Sequence, residues 1–246
     1  MKIALFGGTF DPIHKGHLAI AQAAVERFGI GLVHFVPATV PPHKQGRQVT
    51  EFCHRYAMLA LATAHHPHFV PSLLEAATDG PSYSIDTVRQ LKKDLRKSDQ
   101  LYFLIGIDAF LDLSTWRQPV ELLTECNFIV CSRPGYSLAD VGRALPAALR
   151  PSKTELAALR RRKSDGVITL PSTTIHMLGH VKESVSSTRI RAAVARKMEI
   201  QLDQMVPEAV AGYIRKQQLY VPRPATHEKQ SANAAKVLSF DREQHG

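Results

Sequence analysis

Residues 3 to 17 read Ile-Ala-Leu-Phe-Gly-Gly-Thr-Phe-Asp-Pro-Ile-His-Lys-Gly-His. Ile3 to Phe6 have the character of a short buried strand, and Gly7 and Gly8 follow it with a turn. From Leu18 to Phe28 apolar residues recur at helical spacing, which predicts a helix starting near Gly16. The glycines lack the Cβ atoms that keep a ligand off the backbone, and the first N–H groups of such a helix face whatever lies over the turn at residues 8–10. The helix dipole favours an anion there by about 0.3–1 kcal/mol before any side chain acts. His14 and His17 stand one turn apart and point the same way. A glycine turn between strand and helix is common in α/β proteins that bind nothing, but two imidazoles beside helix N–H groups are a poor choice for packing. No carboxylate or cysteine stands at a spacing that makes them zinc ligands, so no metal site is expected. Neither a Walker lysine nor G-x-G-x-x-G follows the strand, which excludes the P-loop and the dinucleotide fingerprint.

Outward from this stretch, strand and helix patterns alternate. Candidate strands are 2–6, 32–36, 69–73, 101–105, 128–131 and 167–170, and helical stretches lie at 18–28, 52–64, 85–95 and 120–126. That alternation predicts a Rossmann-like α/β fold, a doubly wound, mostly parallel sheet with helices on both faces. Ligands of such sheets gather at the carboxyl ends of the strands, where the histidine stretch falls. Pro41-Pro42 marks an ordered loop beside it. Further on, Ser187 can cap a helix running to about Lys197, so the N–H groups near Thr188 and Arg189 are donors and Arg191 lies within a turn of them. A second helix N-terminus thus offers itself to phosphates. Alone it reads as an ordinary capped surface helix; beside the histidine stretch it supplies the other end of a site for a nucleoside triphosphate.

The stretch from Gly7 to His17 resembles the first motif of the nucleotidylyltransferases, whose shared core is H-x-G-H, and in its long form that of the bacterial nicotinate-nucleotide adenylyltransferases. Other matching stretches follow in order: Val40-Pro41-Pro42-His43-Lys44, Pro81-Ser82-Tyr83-Ser84-Ile85-Asp86-Thr87, Gly106-Ile107-Asp108 with Trp116, Arg133-Pro134-Gly135, and Ser186-Ser187-Thr188-Arg189-Ile190-Arg191. The resemblance covers residues 1–221. It implies adenylyl transfer from ATP to nicotinate mononucleotide, giving nicotinic acid adenine dinucleotide and pyrophosphate, a step of NAD biosynthesis. It implies that Gly8, Thr9, Phe10 and the histidines meet the α-phosphate, that Ser187, Thr188 and Arg191 hold the β- and γ-phosphates, and that Gly106 and Asp108 meet the ribose. Ser84 and the N–H groups around Ile85 and Arg117 are implied contacts of the acceptor's carboxylate. Where the family often has an aromatic residue after the tryptophan, this chain has Arg117.

The residue types suit that chemistry. A phosphate monoester has a second pKa of about 6 and is already a nucleophile at neutral pH, so the protein must align two polyanions and stabilise charge rather than supply a base. His14 and His17 are the candidate catalytic donors. Mg²⁺ is expected to enter on the triphosphate. Lys44 and Arg133 are candidates for the mononucleotide's phosphate, and Trp116 for stacking on its ring. Asp108 is also placed to cap the helix after its strand.

A chain of 246 residues, with a net charge of +9, allows one large domain or two small ones. Its basic excess admits two explanations, a nucleic-acid binder or a site for several phosphates with a basic surface helix. Arg160-Arg161-Arg162-Lys163 ends a helical stretch that begins near Lys153 and has no interleaved aromatic residues, which favours the second. No apolar run reaches membrane-spanning length, Met1 to Phe6 is too short for a secretory leader, and Cys53, Cys126 and Cys131 lack C-x-x-C spacing. These features predict a cytoplasmic enzyme with reduced core thiols and no nucleic-acid or membrane partner; a homo-oligomer is compatible with them. His65-His66-Pro67-His68 reads as a solvated turn. Pro207 to Gln217 predicts a helix, and Leu219-Tyr220-Val221 a final apolar anchor. Residues 222–246 are polar and alanine-rich, which predicts a disordered tail beyond a 1–221 domain, with a short docked helix at 231–238 as the alternative. Two other functions stay open on the residues alone: a related transferase with nicotinamide mononucleotide or phosphopantetheine as acceptor, and a basic nucleic-acid-binding protein.

Overall fold

The computed structural model describes residues 1–39, 49–76, 80–161, 166–179, 181 and 185–222. Among them, seven strands form one sheet: β1 (Lys2–Gly8), β2 (Leu32–Pro37), β3 (Phe69–Pro71), β4 (Gln100–Gly106), β5 (Asn127–Cys131), β6 (Val167–Thr169) and β7 (Thr174–Leu178), in the order β3-β2-β1-β4-β5-β7-β6. All pairs are parallel except β6 with β7. Strand order reverses between β1 and β4. The crevice outside the carboxyl ends of those two strands is therefore where a ligand belongs in a sheet of this kind.

Pleating divides the apolar residues of β1 between two cores. Ala4 and Phe6 join one cluster and Ile3 and Leu5 the other, and in β4 Leu104 opposes Phe103 and Ile105 in the same way. The first core is covered by α1 (Lys15–Phe28), α2 (Phe52–Thr63), α8 (Ser187–Ala195), α9 (Glu199–Met205) and α10 (Glu208–Lys216). The second is covered by α3 (Ser84–Lys93), α4 (Ile107–Leu111), α5 (Pro119–Glu125), α6 (Leu138–Ala144) and α7 (Lys153–Arg161). Leu104, fully buried beside the switch point, illustrates the strength of this frame: truncating such a leucine to alanine costs about 2–5 kcal/mol.

The doubly wound, mostly parallel sheet is as expected, with differences in detail. The stretch read as one strand at 167–170 is the first arm of a hairpin, and its unread partner β7 carries the sheet onward parallel to β5. Thr174 and His176 stay half-exposed while Ile175 and Met177 are buried, an alternation too short and too polar to stand out. Helices α6 and α9 are not among the expected ones; each spans only seven residues. Cys126 and Cys131 are buried free thiols, and burial pushes the Cys131 thiol up to about 11. Cys53 is not in the core: it lies exposed on the first turn of α2 with Sγ 3.7 Å from a Glu51 carboxylate oxygen. The 65–68 histidines occupy the turn between α2 and β3, with His66 stacked on Phe69 and His68 Nδ1 2.9 Å from the Gly31 carbonyl. Among the described residues, no helix is long and apolar enough to cross a membrane. The tail at 223–246, with its alternative docked helix, lies outside the described residues.

Candidate active site

Helix α1 begins at Lys15 with His14 as its N-cap, one residue before the expected start. The two histidines form a reciprocal capping box. His14 Nδ1 accepts the His17 backbone N–H at 3.3 Å, and His17 Nδ1 accepts the His14 N–H at 3.3 Å. Their rings stack with centroids 3.6 Å apart. With both Nδ1 atoms accepting, each neutral ring carries its proton on Nε2, so each presents one N–H donor away from the helix. Burial lowers the His14 pKa to about 4, and burial together with repulsion from His14 pulls His17 well below the usual imidazole value. Both rings are therefore uncharged donors at neutral pH.

The glycines serve this arrangement more than they serve a ligand. A Cβ on Gly8 would lie 3.1 Å from the Phe10 ring, and one on Gly16 would lie 3.1 Å from the His14 imidazole. Gly7 has only ordinary contacts at 3.7 Å, and both turn glycines line a cleft described below, so at Gly8 the missing Cβ makes room for the Phe10 ring while the backbone still faces that cleft. The Phe10 side chain is buried against Phe6, Phe35 and His17, and its φ of 48° turns the chain sharply. Only its backbone can reach a phosphate. The His17 N–H is likewise taken up by His14, which leaves the helix with fewer first-turn donors than the bare pattern implied.

Helix α8 comes to the same place. Its N-cap is Ser186, whose hydroxyl accepts the Arg189 N–H at 3.3 Å; Ser187 is the first helical residue, not the cap. Ser187 Oγ donates to the Pro12 carbonyl at 3.0 Å, and Arg191 donates to the Asp11 carbonyl at 2.7 Å and to Thr188 Oγ1 at 3.4 Å. Two helix N-termini far apart in sequence are thus fastened to each other. The cleft between them is lined by His14, His17, Gly106, Arg133 and Ser187 among others, with a volume of about 490 Å³.

A second cleft of about 350 Å³ opens on the other side of Gly106, lined by Gly7, Gly8, Thr9, Ser84, Trp116 and Arg117 among others. Ser84 opens α3, and Ile85 is buried, so that residue offers only its backbone. Trp116 meets Phe103 edge-on with centroids 6.4 Å apart. The Arg117 guanidinium lies over the Tyr83 ring, 4.7 Å from its centroid, and 3.6 Å from Asp86. That contact holds the arginine at the cleft mouth. Arg133 is not with Ser84 and Trp116: it stands in the histidine cleft, paired with Asp108 at 2.6 Å. Asp108 does not cap α4, since Gly106 holds that position. Lys44 lies outside the described residues.

Three structural residues of the site escaped the sequence reading. Arg55, 1% exposed, donates to the carbonyls of Thr50, Thr9 and Thr39 at 2.7, 2.8 and 3.5 Å, tying the glycine turn to the described residues on either side of 40–48. Burial lowers its pKa, and the nearby Asp11 charge opposes that shift. Glu75 lines the second cleft and accepts from Thr87 Oγ1 at 2.6 Å. Tyr220 donates to the Asp11 carboxylate at 2.7 Å. An arginine in an apolar helix was the available signal for Arg55; nothing local marks the other two.

An open, mostly parallel sheet with an H-x-G-H helix entrance and a second helix N-terminus at its switch point is the arrangement of a nucleotidylyltransferase. The cytidylyltransferase-like family pattern matches residues 5–193. A probable nicotinate-nucleotide adenylyltransferase of Moorella thermoacetica is 39% identical over 222 residues, covering 90% of this chain and 93% of its own. Its counterpart from Geobacter metallireducens is 36% identical over 220 residues, 89% of this chain and 98% of that one. The solved Plasmodium falciparum nicotinic acid mononucleotide adenylyltransferase complexed with NaAD shares the fold, with TM-score 0.65 at 19% identity over 89% of this chain and 97% of that one. The chain belongs to the cytidylyltransferase-like family and, within it, to the nicotinate-nucleotide adenylyltransferases.

Proposed function

We propose that this enzyme joins ATP and nicotinate mononucleotide, with the histidine cleft taking the triphosphate and the tryptophan cleft the acceptor. The observation that carries the reading is the meeting of the two clefts at Gly106, beside the carboxyl ends of β1 and β4. A nucleotide in each brings the acceptor's 5′-phosphate to the α-phosphorus. The phosphate oxygen attacks in line, a new O–Pα bond forms, the Pα–O bond to the β-phosphate breaks, and pyrophosphate leaves. The nucleophile is largely a dianion at neutral pH and needs no base. The Nε2–H groups of His14 and His17 donate to the reacting phosphates. Being neutral and fixed by the capping box, they stabilise charge as it develops without reorganising.

Ser187, Thr188 and Arg191 receive the leaving pyrophosphate, and Mg²⁺ arrives as part of the Mg-ATP substrate. The backbone around Thr9 and Phe10 contacts the α-phosphate, and Gly106 and Asp108 meet the ribose. In the acceptor cleft Trp116 stacks on the pyridine ring, while Ser84 and the N–H groups near Ile85 and Arg117 meet its carboxylate. N–H donors suit a carboxylate better than an amide, whose NH₂ group finds no acceptor among them. Arg133, beside the histidines, serves a phosphate near the point of reaction, and Lys44 another. Pyrophosphate release from Mg-ATP should depend on added pyridine mononucleotide, the acid being used in preference to the amide. Folded protein that turns over neither pyridine mononucleotide would refute the assignment.

A further inference from the structure

The Asp11 carboxylate is 5% exposed and lines neither cleft, yet it lies where the two phosphate-facing helices are fastened together. One oxygen accepts from the Tyr220 hydroxyl at 2.7 Å, the other from the Thr50 N–H at 3.3 Å. The Asp11 carbonyl holds Arg191 at 2.7 Å, and the adjoining Pro12 carbonyl holds Ser187 Oγ at 3.0 Å. Arg55 secures the same turn from its other side through the Thr9 carbonyl. Tyr220 stands 209 residues along the chain from Asp11. Burial and the Asp11 carboxylate both raise the phenol's pKa, so it remains a donor throughout the working range of the enzyme. Tyr220 itself and Phe10, the residue before Asp11, adopt left-handed backbone conformations, φ 64° and 48°, which L residues rarely hold unless the surroundings impose them.

We infer that Tyr220 is a positioning residue for ATP: by pinning Asp11 it sets the carbonyls that hold Arg191 and Ser187, and so the placement of α8 against α1. It touches no substrate. Its effect is directed to the triphosphate, because Ser84, Trp116 and Arg117 stand on the opposite side of Gly106 from α8. The inference rests on the proposed use of the histidine cleft for ATP. Some loss of melting temperature accompanies any change at a buried carboxylate, so the deciding readout is a split between the two substrates.

The experiment measures the Kd of Mg-ATP by calorimetry without acceptor, together with the KM of nicotinate mononucleotide. In Tyr220→Phe the Kd should rise about five- to tenfold, the size of one ordinary hydrogen bond lost from a folded protein, while the acceptor KM stays within about twofold. Asp11→Asn leaves a single oxygen for two donors, the tyrosine hydroxyl and the Thr50 N–H, and should weaken ATP by at least about two- to threefold. The loss in the double variant should be smaller than the product of the two single losses, because the two changes share the bond between Tyr220 and Asp11. An unchanged Kd in Tyr220→Phe, or equal losses for both substrates, overturns the inference; if that variant does not fold, an unchanged Kd in Asp11→Asn does so. Wild type that binds Mg-ATP without turnover would sink the proposed reaction and leave this inference to be decided by the same Kd values. Wild type that binds no Mg-ATP would sink both.

Discussion

The two halves of the cleft are built on different principles. In the histidine half, residues 6–17 supply the strand end, the aromatic packing, the cap and both imidazoles within one short stretch, and α8 closes it with bonds to Asp11 and Pro12. Its histidines are already locked to one another. In the acceptor half, Ser84 comes from α3 and Trp116 and Arg117 from the segment after α4, and the arginine's ion-pair partner Asp86 is exposed. A rigid half suits stabilisation of the transition state, where a small misplacement is costly; a composite half suits recognition, which each contact tunes separately.

This contrast assigns different kinetic signatures to the two halves. His17→Ala should lower kcat by roughly 10²–10³, the loss seen when a transition-state donor is removed, with acceptor KM little changed. Because His17 also completes the cap of α1, a cost of about 1 kcal/mol should appear as a melting temperature roughly 2–4 °C lower. An unchanged kcat would reduce the histidine half to a helix cap. In the other half, the wild-type enzyme should favour the acid over the amide mononucleotide by about ten- to hundredfold in kcat/KM, from a buried unpaired NH₂ costing about 1–3 kcal/mol. Arg117→Tyr should reduce that ratio a few-fold while leaving kcat for the acid in place, since its charge is half-exposed and screened. Equal use of both mononucleotides by wild type would break the assignment of the acceptor half.

Smaller effects follow from the state of the imidazoles. The folded pKa of His14, about 4, lies below the unfolded value of 6.5, and His17 is shifted in the same direction. The unfolded chain therefore binds more protons, so this contribution to stability is complete above about pH 6.5 and is lost as pH falls toward 4. Melting temperature should decline over that window, and less steeply when both histidines become Asn, which keeps an acceptor for each capping N–H. The smallest effect is expected at the end of the chain. Deletion after Val221 should leave transfer within about twofold, because Tyr220 is the last described residue bonded to the site; deletion after Leu219 should weaken ATP as Tyr220→Phe does.

The contrast also governs what could be read from residues alone. Within 3–17, the strand, the turn and the paired histidines are neighbours in sequence, so period and residue type were enough to locate the site at the strand ends. What that reading missed was the inward side of the same residues. Gly8 and Gly16 make room for Phe10 and His14, and the His14 and His17 Nδ1 atoms face backbone rather than ligand. The bond between Tyr220 and Asp11 spans almost the whole chain and leaves no local pattern. Arg133 was grouped with the acceptor residues by its motif, but the end of β5 delivers it to the histidine side beside Asp108. Strand β7 was missed because a five-residue segment with Thr174 and His176 half-exposed resembles a loop.

The central chemical claim is that His14 and His17 act as fixed donors and never bond to phosphorus. It is tested most directly by the stereochemistry of transfer from ATP carrying a chiral α-phosphorothioate to nicotinate mononucleotide. A single in-line displacement yields product with inverted configuration at that phosphorus. Retention would require two displacements through an enzyme-bound adenylyl group, and would contradict the donor role of the histidines.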